Sequence, residues 1–134
     1  MNILLDTQIL LWALSNNDKL SDLARSLILD PKNNIYYSSA SIWEITIKHL
    51  KHPDIFSFSG KDVSQYCMDA GYLQVRINDE HCYTIESLKR KENSPEHNDP
   101  FDKLLISQAK CERLTLITHD SLIPDYEEDC ILSV

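Results

Sequence analysis

Short apolar runs alternate along this chain with stretches whose apolar residues recur every three or four positions. That is the pattern of strands alternating with amphipathic helices. Ile3-Leu4-Leu5 is apolar at every position, as a strand covered on both faces would be, and it ends at Asp6. Leu20, Leu23, Ala24, Leu27 and Ile28 keep helical spacing until Asp30-Pro31-Lys32-Asn33-Asn34 breaks the chain. Ile35-Tyr36-Tyr37 predicts a second strand, and a helix runs from Ser41 to about His49. Residues 52–61 read as a connecting loop. Val63, Tyr66, Cys67 and Ala70 form a further helical stripe closed by Gly71, and Leu73, Val75 and Ile77 alternate with Gln74 and Arg76 as a third strand would. Residues 79–90 predict a weaker helix and 93–98 a polar loop. Phe101, Leu104, Leu105 and Ala109 build the clearest late helix, with strands expected at 114–118 and 131–134. One α/β domain over residues 1–134, built on a parallel sheet, is the expectation.

Composition narrows the chemistry. Thirteen basic against 21 acidic residues leave a formal charge of −8, which argues against holding a polyanion by bulk charge. The two glycines, Gly60 and Gly71, lie in no phosphate-cradling pattern, so nucleotide-binding loops of those types are excluded. Cys67, Cys82, Cys111 and Cys130 form no C-x-x-C pair and read as small core residues in a reducing cytoplasm. The first six residues lack the basic start of an export signal, and the longest apolar run, Ile9 to Leu14, falls far short of a membrane span. The five histidines show no zinc spacing. Trp43 reads as a core anchor.

The informative residues are four acids. Asp6 follows the first strand, Glu44 lies in the first turn of the helix after the second, Asp102 in the first turn of the helix beginning at Pro100, and Asp120 follows the fourth strand. In a parallel α/β sheet these places share one edge, where ligands bind. Each acid also has a structural reading. Ser41-x-x-Glu44 has the form of a capping box, and Asp99-Pro100-Phe101-Asp102 that of an N-cap with proline at N1. Asp6 and Asp120 would serve as caps or turn residues. Capping, however, does not require the four to converge. Like charges about 4 Å apart repel by roughly 4 kcal/mol at an effective dielectric of 20. A hard divalent cation, Mg²⁺ or Mn²⁺, turns that repulsion into a binding site. His97 and His119 stand close enough in sequence to these acids to touch a phosphate. Lys48/His49/Lys51/His52 and Lys89-Arg90-Lys91 are the places where a polyanion backbone would rest.

Leu4-Leu5-Asp6-Thr7, Ser41-Ile42-Trp43-Glu44-Ile45, the block from His97 to Ala109 and Leu116-Ile117-Thr118-His119-Asp120 together resemble the PIN-domain ribonucleases, and among them the VapC-type toxins of toxin–antitoxin pairs. The resemblance spans nearly the whole chain in order, and its H-x-D-P-F-D block marks one branch. It implies an α/β/α sandwich with strand order 3-2-1-4-5 and a Mg²⁺- or Mn²⁺-dependent endoribonuclease. By it, Asp6, Glu44, Asp102 and Asp120 correspond to the catalytic, metal-binding acids. Thr118 corresponds to the hydroxyl residue that orients Asp120 or a metal-bound water, and Asp99 and His97 are additional residues of this branch. It further implies an RNA substrate contacted near Lys48, Lys51 and Lys103, a cognate antitoxin that blocks the site, and a homodimer whose partners together form an RNA groove. Gln8, Lys103 and His52-Pro53-Asp54 depart from the residues many relatives carry, and none of these departures removes an acid.

Two other readings stand against it. A phosphoaspartate enzyme would need a second acid at residue 8, where this chain has Gln8, and a receiver domain would need an aspartate ending the third strand, which Ile77-Asn78-Asp79 matches poorly. A catalytically silent PIN module binding RNA or protein would not need the four acids intact.

Overall fold

The computed structural model describes every residue from Met1 to Val134. Its five strands are β1 (Asn2–Leu5), β2 (Asn34–Ser38), β3 (Leu73–Val75), β4 (Thr115–Thr118) and β5 (Ile131–Ser133). They form one all-parallel sheet in the expected order β3-β2-β1-β4-β5. The helices are α1 (Thr7–Ser15), α2 (Asp22–Leu29), α3 (Ser39–Lys51), α4 (Gly60–Asp69), α5 (Asp79–Thr84) and α6 (Pro100–Glu112), with 3-10 turns at Ile85–Ser87 and Ile123–Asp125. No helix is long and apolar enough to cross a membrane.

Alternation along the strands sorts the core into two layers. Ile3, Leu5, Ile35, Tyr37 and Ile117 face α1 through α4, meeting Ile9, Leu10, Ala24, Ile45 and Val63. Leu4, Leu116 and Val75 face the other way and meet Leu104, Leu105, Ile106 and Ala109 of α6. Both faces are thus covered, which is why the strands are short, continuous apolar runs.

Several expectations need correction. The apolar spacing gives no sign of helix α1, because Ile9 to Leu14 is apolar all round and shows no period. The third strand stops at Val75, short of Ile77, and Leu73 stands exposed at the sheet edge. The weak helix at 79–90 is one and a half turns of α5 running into a 3-10 turn. The box Ser41-x-x-Glu44 does not exist. The N-cap of α3 is Ser38, whose hydroxyl accepts from Ala40 N, so β2 runs into α3 without a loop and Glu44 falls in the second turn. Of the cysteines only Cys67 is a core residue, its thiol pushed up to about 12 by burial, while Cys82 is exposed and Cys111 and Cys130 are half-buried.

Helix α4 starts hard against α3. A Cβ at Gly60 would fall 2.0 Å from Thr46 Oγ1 and 3.2 Å from the Ile42 carbonyl, so only glycine allows this approach without displacement. The contact seats α3, which carries Glu44.

Leu105 lies fully buried between α6 and the sheet. Leu105→Ala is expected to cost about 2–5 kcal/mol in denaturant unfolding, because the backbone of α6 cannot collapse to fill the void. A loss below 1 kcal/mol would mean that α6 is not seated on the sheet as described.

Candidate metal and phosphate site

The chain moves outward from β1 to β2 and β3, then returns past β1 to lay down β4, so β1 and β4 flank the point where strand order reverses. The register Leu5↔Ile117 puts Asp6 and Thr118 side by side at the strand ends. Asp6 is almost wholly buried and caps α1, with Oδ1 accepting from Ile9 N at 2.7 Å and Oδ2 accepting from the Thr118 hydroxyl. Thr118 Oγ1 in turn accepts from Asp120 N at 3.0 Å. The hydroxyl therefore orients the Asp6 carboxylate and the Asp120 backbone, where the resemblance had it orienting the Asp120 side chain or a water. Asp120 caps no helix, because its Oδ1 closes a turn by accepting from Leu122 N at 2.6 Å.

Glu44 and Asp102 come from the starts of α3 and α6. Asp99 is the N-cap of α6 as expected, accepting from Phe101 N at 2.9 Å and Asp102 N at 3.2 Å. Trp43 is not a core anchor. It is 55% exposed and packs edge-on against Phe101, with ring centroids 4.9 Å apart, tying the starts of the two helices together beside Glu44 and Asp102. Glu44 Oε2 pairs with Lys48 at 2.9 Å, while its Oε1 is buried without any partner.

Asp6, Glu44, Asp99, Asp102 and Asp120 line a single cavity of about 250 Å³. Convergence has an electrostatic cost. Burial, then the charges of Asp99, Asp120, Glu44 and Asp6, push Asp102 up to about 8, and burial raises Asp6 to about 6 despite the Thr118 hydrogen bond. The side chains surround the cavity without closing on a point, since no three of them are posed together as a ligand set. The donors nonetheless fit a hard cation: they are all carboxylate oxygens, they hold a surplus of negative charge, and Glu44 Oε1 is an acceptor with nothing to accept.

The histidines differ in role. His97 is buried, with Nδ1 2.7 Å from the Tyr126 hydroxyl and Nε2 3.0 Å from Asp102 Oδ2. Burial, then the nearby positive charge of Arg90, holds its pKa below the ordinary value, which disfavours the charged ring in this contact with Asp102. His97 thus supports Asp102, where the sequence suggested a phosphate contact. His119 lines the cavity, with Nδ1 2.8 Å from the Val134 carbonyl. The three lysines do not form one patch: Lys48 lines the cavity, Lys51 is exposed at the far end of α3, and Lys103 lines a second cavity on the other side of the His97–Asp102 pair. Sequence reasoning missed Tyr126, which no local motif connects to His97.

The raised carboxyls have a stability consequence. Asp102 and Asp6 bind their protons more tightly folded than unfolded, where the carboxyl pKa is near 3.8. Their contribution is fully present below that value and is lost as pH rises through about 6 and then about 8. In chelator, the melting temperature should therefore fall between pH 5 and pH 8, and Asp102→Asn should flatten the fall and melt higher than wild type at pH 8. A wild-type melting temperature that rises over this range, or an Asn variant less stable at pH 8, would contradict the crowding of these acids.

The match to known proteins bears on the same residues. The family model described as the PIN domain matches residues 3–128. Among solved structures, VapBC2 from Rickettsia felis bound to a DNA fragment from its promoter contains a similar chain, with TM-score 0.69 and 14% identity over 100% of this chain and 99% of that one. VapBC-1 from nontypeable Haemophilus influenzae gives 0.54 and 19% over 90% and 87%, and FitAcB from Neisseria gonorrhoeae gives 0.53 and 18% over 90% and 89%. None of the curated proteins matches the sequence. These likenesses are likenesses of fold, while the family model covers nearly the whole chain, including all the acids that line the cavity: the chain belongs to the PIN-domain family.

Proposed function

We propose that this protein is a Mg²⁺- or Mn²⁺-dependent endoribonuclease, the toxin of a VapC-type toxin–antitoxin pair. The observation that carries the reading is the acidic cavity, where five carboxylates from four separate segments line the sheet's switch point with one buried oxygen unpartnered. Glu44 is the most telling of them, since it neither caps a helix nor meets a full set of partners.

Asp6, Glu44, Asp102 and Asp120 would hold the cation. A bound Mg²⁺ or Mn²⁺ supplies activation of a water and neutralisation of charge on the scissile phosphate. The chain's own contribution is orientation. Thr118 and the start of α1 fix the two oxygens of Asp6, and Tyr126 through His97 fixes Asp102. Lys48 offers a positive charge at the cavity wall that can leave Glu44 for a phosphate oxygen.

A protein partner is part of the reading. An apolar groove of about 230 Å³, lined by Leu11, Trp12, Ile45, Ile55, Phe56 and Phe58, adjoins the acidic cavity and shares Leu11, Trp12 and Phe56 with it. Such exposed apolar surface beside a charged site suits an antitoxin that seats a helix or strand there and inserts an Arg or Lys among the carboxylates. Two of the similar solved structures are named VapBC, which supports a partner of this kind, and a homodimer framing an RNA groove completes the proposal.

Purified protein freed of any partner should cut RNA with Mg²⁺ or Mn²⁺ and stop in chelator. Asp6→Ala and Asp102→Ala should lose activity by orders of magnitude while remaining folded, and expression of the wild-type chain alone should arrest growth where Asp6→Ala does not. Undiminished cleavage by both variants would overturn the assignment, and RNA binding without metal-dependent cleavage would favour a silent module. Saturating Mn²⁺, at about 100 times its dissociation constant, should stabilise wild type by roughly 2.7 kcal/mol and Asp6→Asn clearly less. Asn keeps the α1 cap, so an equal response would show that Asp6 is not a ligand.

A further inference from the structure

We infer that the acidic cavity is also a nucleobase site, in which the base of the nucleotide held at the cation stacks on Trp12 with its edge against Gln8. The inference rests on the nuclease reading and adds to it a grip on the base beside the grip on the phosphate.

The cavity is lined by two unlike sets of residues. The five carboxylates make up one, while Leu11, Trp12 and Phe56 border the same space. Its volume of about 250 Å³ is that of about eight waters at ~30 Å³ each. An octahedral cation that gives up part of its water shell to carboxylates leaves much of that space to a substrate. An anion reaches the acidic side only through the cation, because the carboxylates repel it. The apolar side calls instead for a flat, uncharged group. A phosphate joined to a heterocycle through one sugar satisfies both sides at once, and that is a nucleotide.

Trp12 is the ring placed to take a base. It is half-buried, so packing against the core fixes its position while part of its surface lines the cavity. His119 meets it edge-on, with ring centroids 5.6 Å apart and planes at 62°, and no ring in the protein stacks parallel on it. Phe56 is less free, because the Lys48 ammonium stands over its ring at 5.6 Å. Gln8 lies one turn before Trp12 on the same face of α1, exposed and lining the same cavity. Its side-chain amide pairs with no protein group and offers donors beside an acceptor, a match for the polar edge that every base presents. Stacking tolerates any base, since each has a π-face, so Trp12 supplies affinity and Gln8 supplies preference among bases. The apolar groove that suits an antitoxin shares Trp12 with the cavity, so partner and base exclude one another there.

The test titrates the whole chain, with Ca²⁺ replacing the catalytic ion, with ribose 5-phosphate and with each nucleoside 5′-monophosphate, followed by calorimetry. The two kinds of probe share sugar and phosphate and differ by the base, and neither contains a phosphodiester to cut. The best-bound nucleotide should bind roughly tenfold tighter than ribose 5-phosphate, the share of one stacked base. Trp12→Leu should erase that difference and leave the affinity for ribose 5-phosphate unchanged, which also shows the variant folded with its acids in place. Trp12→Phe should keep most of the difference. Gln8→Ala, at an exposed side chain, should keep the stacking gain and narrow the spread among the nucleotides. A second readout does not depend on Trp12→Leu folding. Trp43→Phe leaves Trp12 as the only tryptophan, and its fluorescence should be quenched by nucleotide and not by ribose 5-phosphate. Equal affinity of wild type for nucleotides and ribose 5-phosphate, no binding of either, or unquenched Trp12 at saturating nucleotide would overturn the inference. So would a nucleotide preference that survives Trp12→Leu, the ring then serving only a protein partner in the adjoining groove. A chain that prefers nucleotides through Trp12 yet cuts no RNA would defeat the nuclease reading and leave the base site standing.

Discussion

The pairing of β1 with β4 is the constraint on which the site depends. Each of these strands ends in an acid-bearing segment, and the register that sets Leu5 opposite Ile117 leaves Asp6 no choice of neighbour but Thr118. Had β4 joined the sheet beyond β3, the same residues would lie three strands apart. The order β3-β2-β1-β4-β5 opens the crevice between the helices that leave β1 and β2 on one side and α6 on the other. Glu44 and Asp102 then enter from those two sides. The hydrophobic layers under α3 and α6 do the work of holding like charges together.

Capping and ligand binding are not rivals at this site. A carboxylate has two oxygens, and Asp6 uses one to cap α1 while the other sits under Thr118. Asp99 caps α6 through a single oxygen, Oδ1, and still reaches the cavity. Helix starts tolerate acids because unpaired N–H groups and the helix dipole favour negative charge there. The fold can therefore gather carboxylates at one edge at less cost than on an open surface, and the remaining excess shows as raised pKa values at Asp6 and Asp102.

The strands and the places of the acids along the chain were legible because each rests on a short signal: an apolar run, a Pro after a cap, an Asp after a strand; the strand order came only with the family resemblance. What was misread shows where such signals fail. Ser38-Ser39-Ala40-Ser41 offers three hydroxyls as caps for one helix, and only the direct passage from β2 into α3 selects Ser38. Trp43 looked like a core residue by size, but its helix turns Ala40, Ser41, Glu44 and Ile45 inward, which leaves it facing out. His81 is buried with its Nε2 2.8 Å from Glu112 and its carbonyl held by Ser107, a tie between α5 and α6 that no spacing announces. Tyr126, His97 and Arg90 likewise come together only because the segments near 90 and 126 form an antiparallel bridge. Contacts made across the sheet or between loops leave no local trace.

An acidic chain that handles a polyanion must separate its charges in space. Screening at physiological salt falls off over about 8 Å, so a phosphate at the surface feels mainly the side chains nearest to it. In the acidic cavity those are carboxylates, which repel it. A cation there reverses the local sign, so in the proposed reading ion and RNA bind with positive coupling, each raising the affinity for the other by the same factor. Lys48 on α3 lines the acidic cavity and pairs with Glu44, whereas Lys103 on α6 lines a separate cavity. Lys48 at the wall of the carboxylate cavity thus gives a phosphate a local positive charge that the net charge of −8 would otherwise deny it.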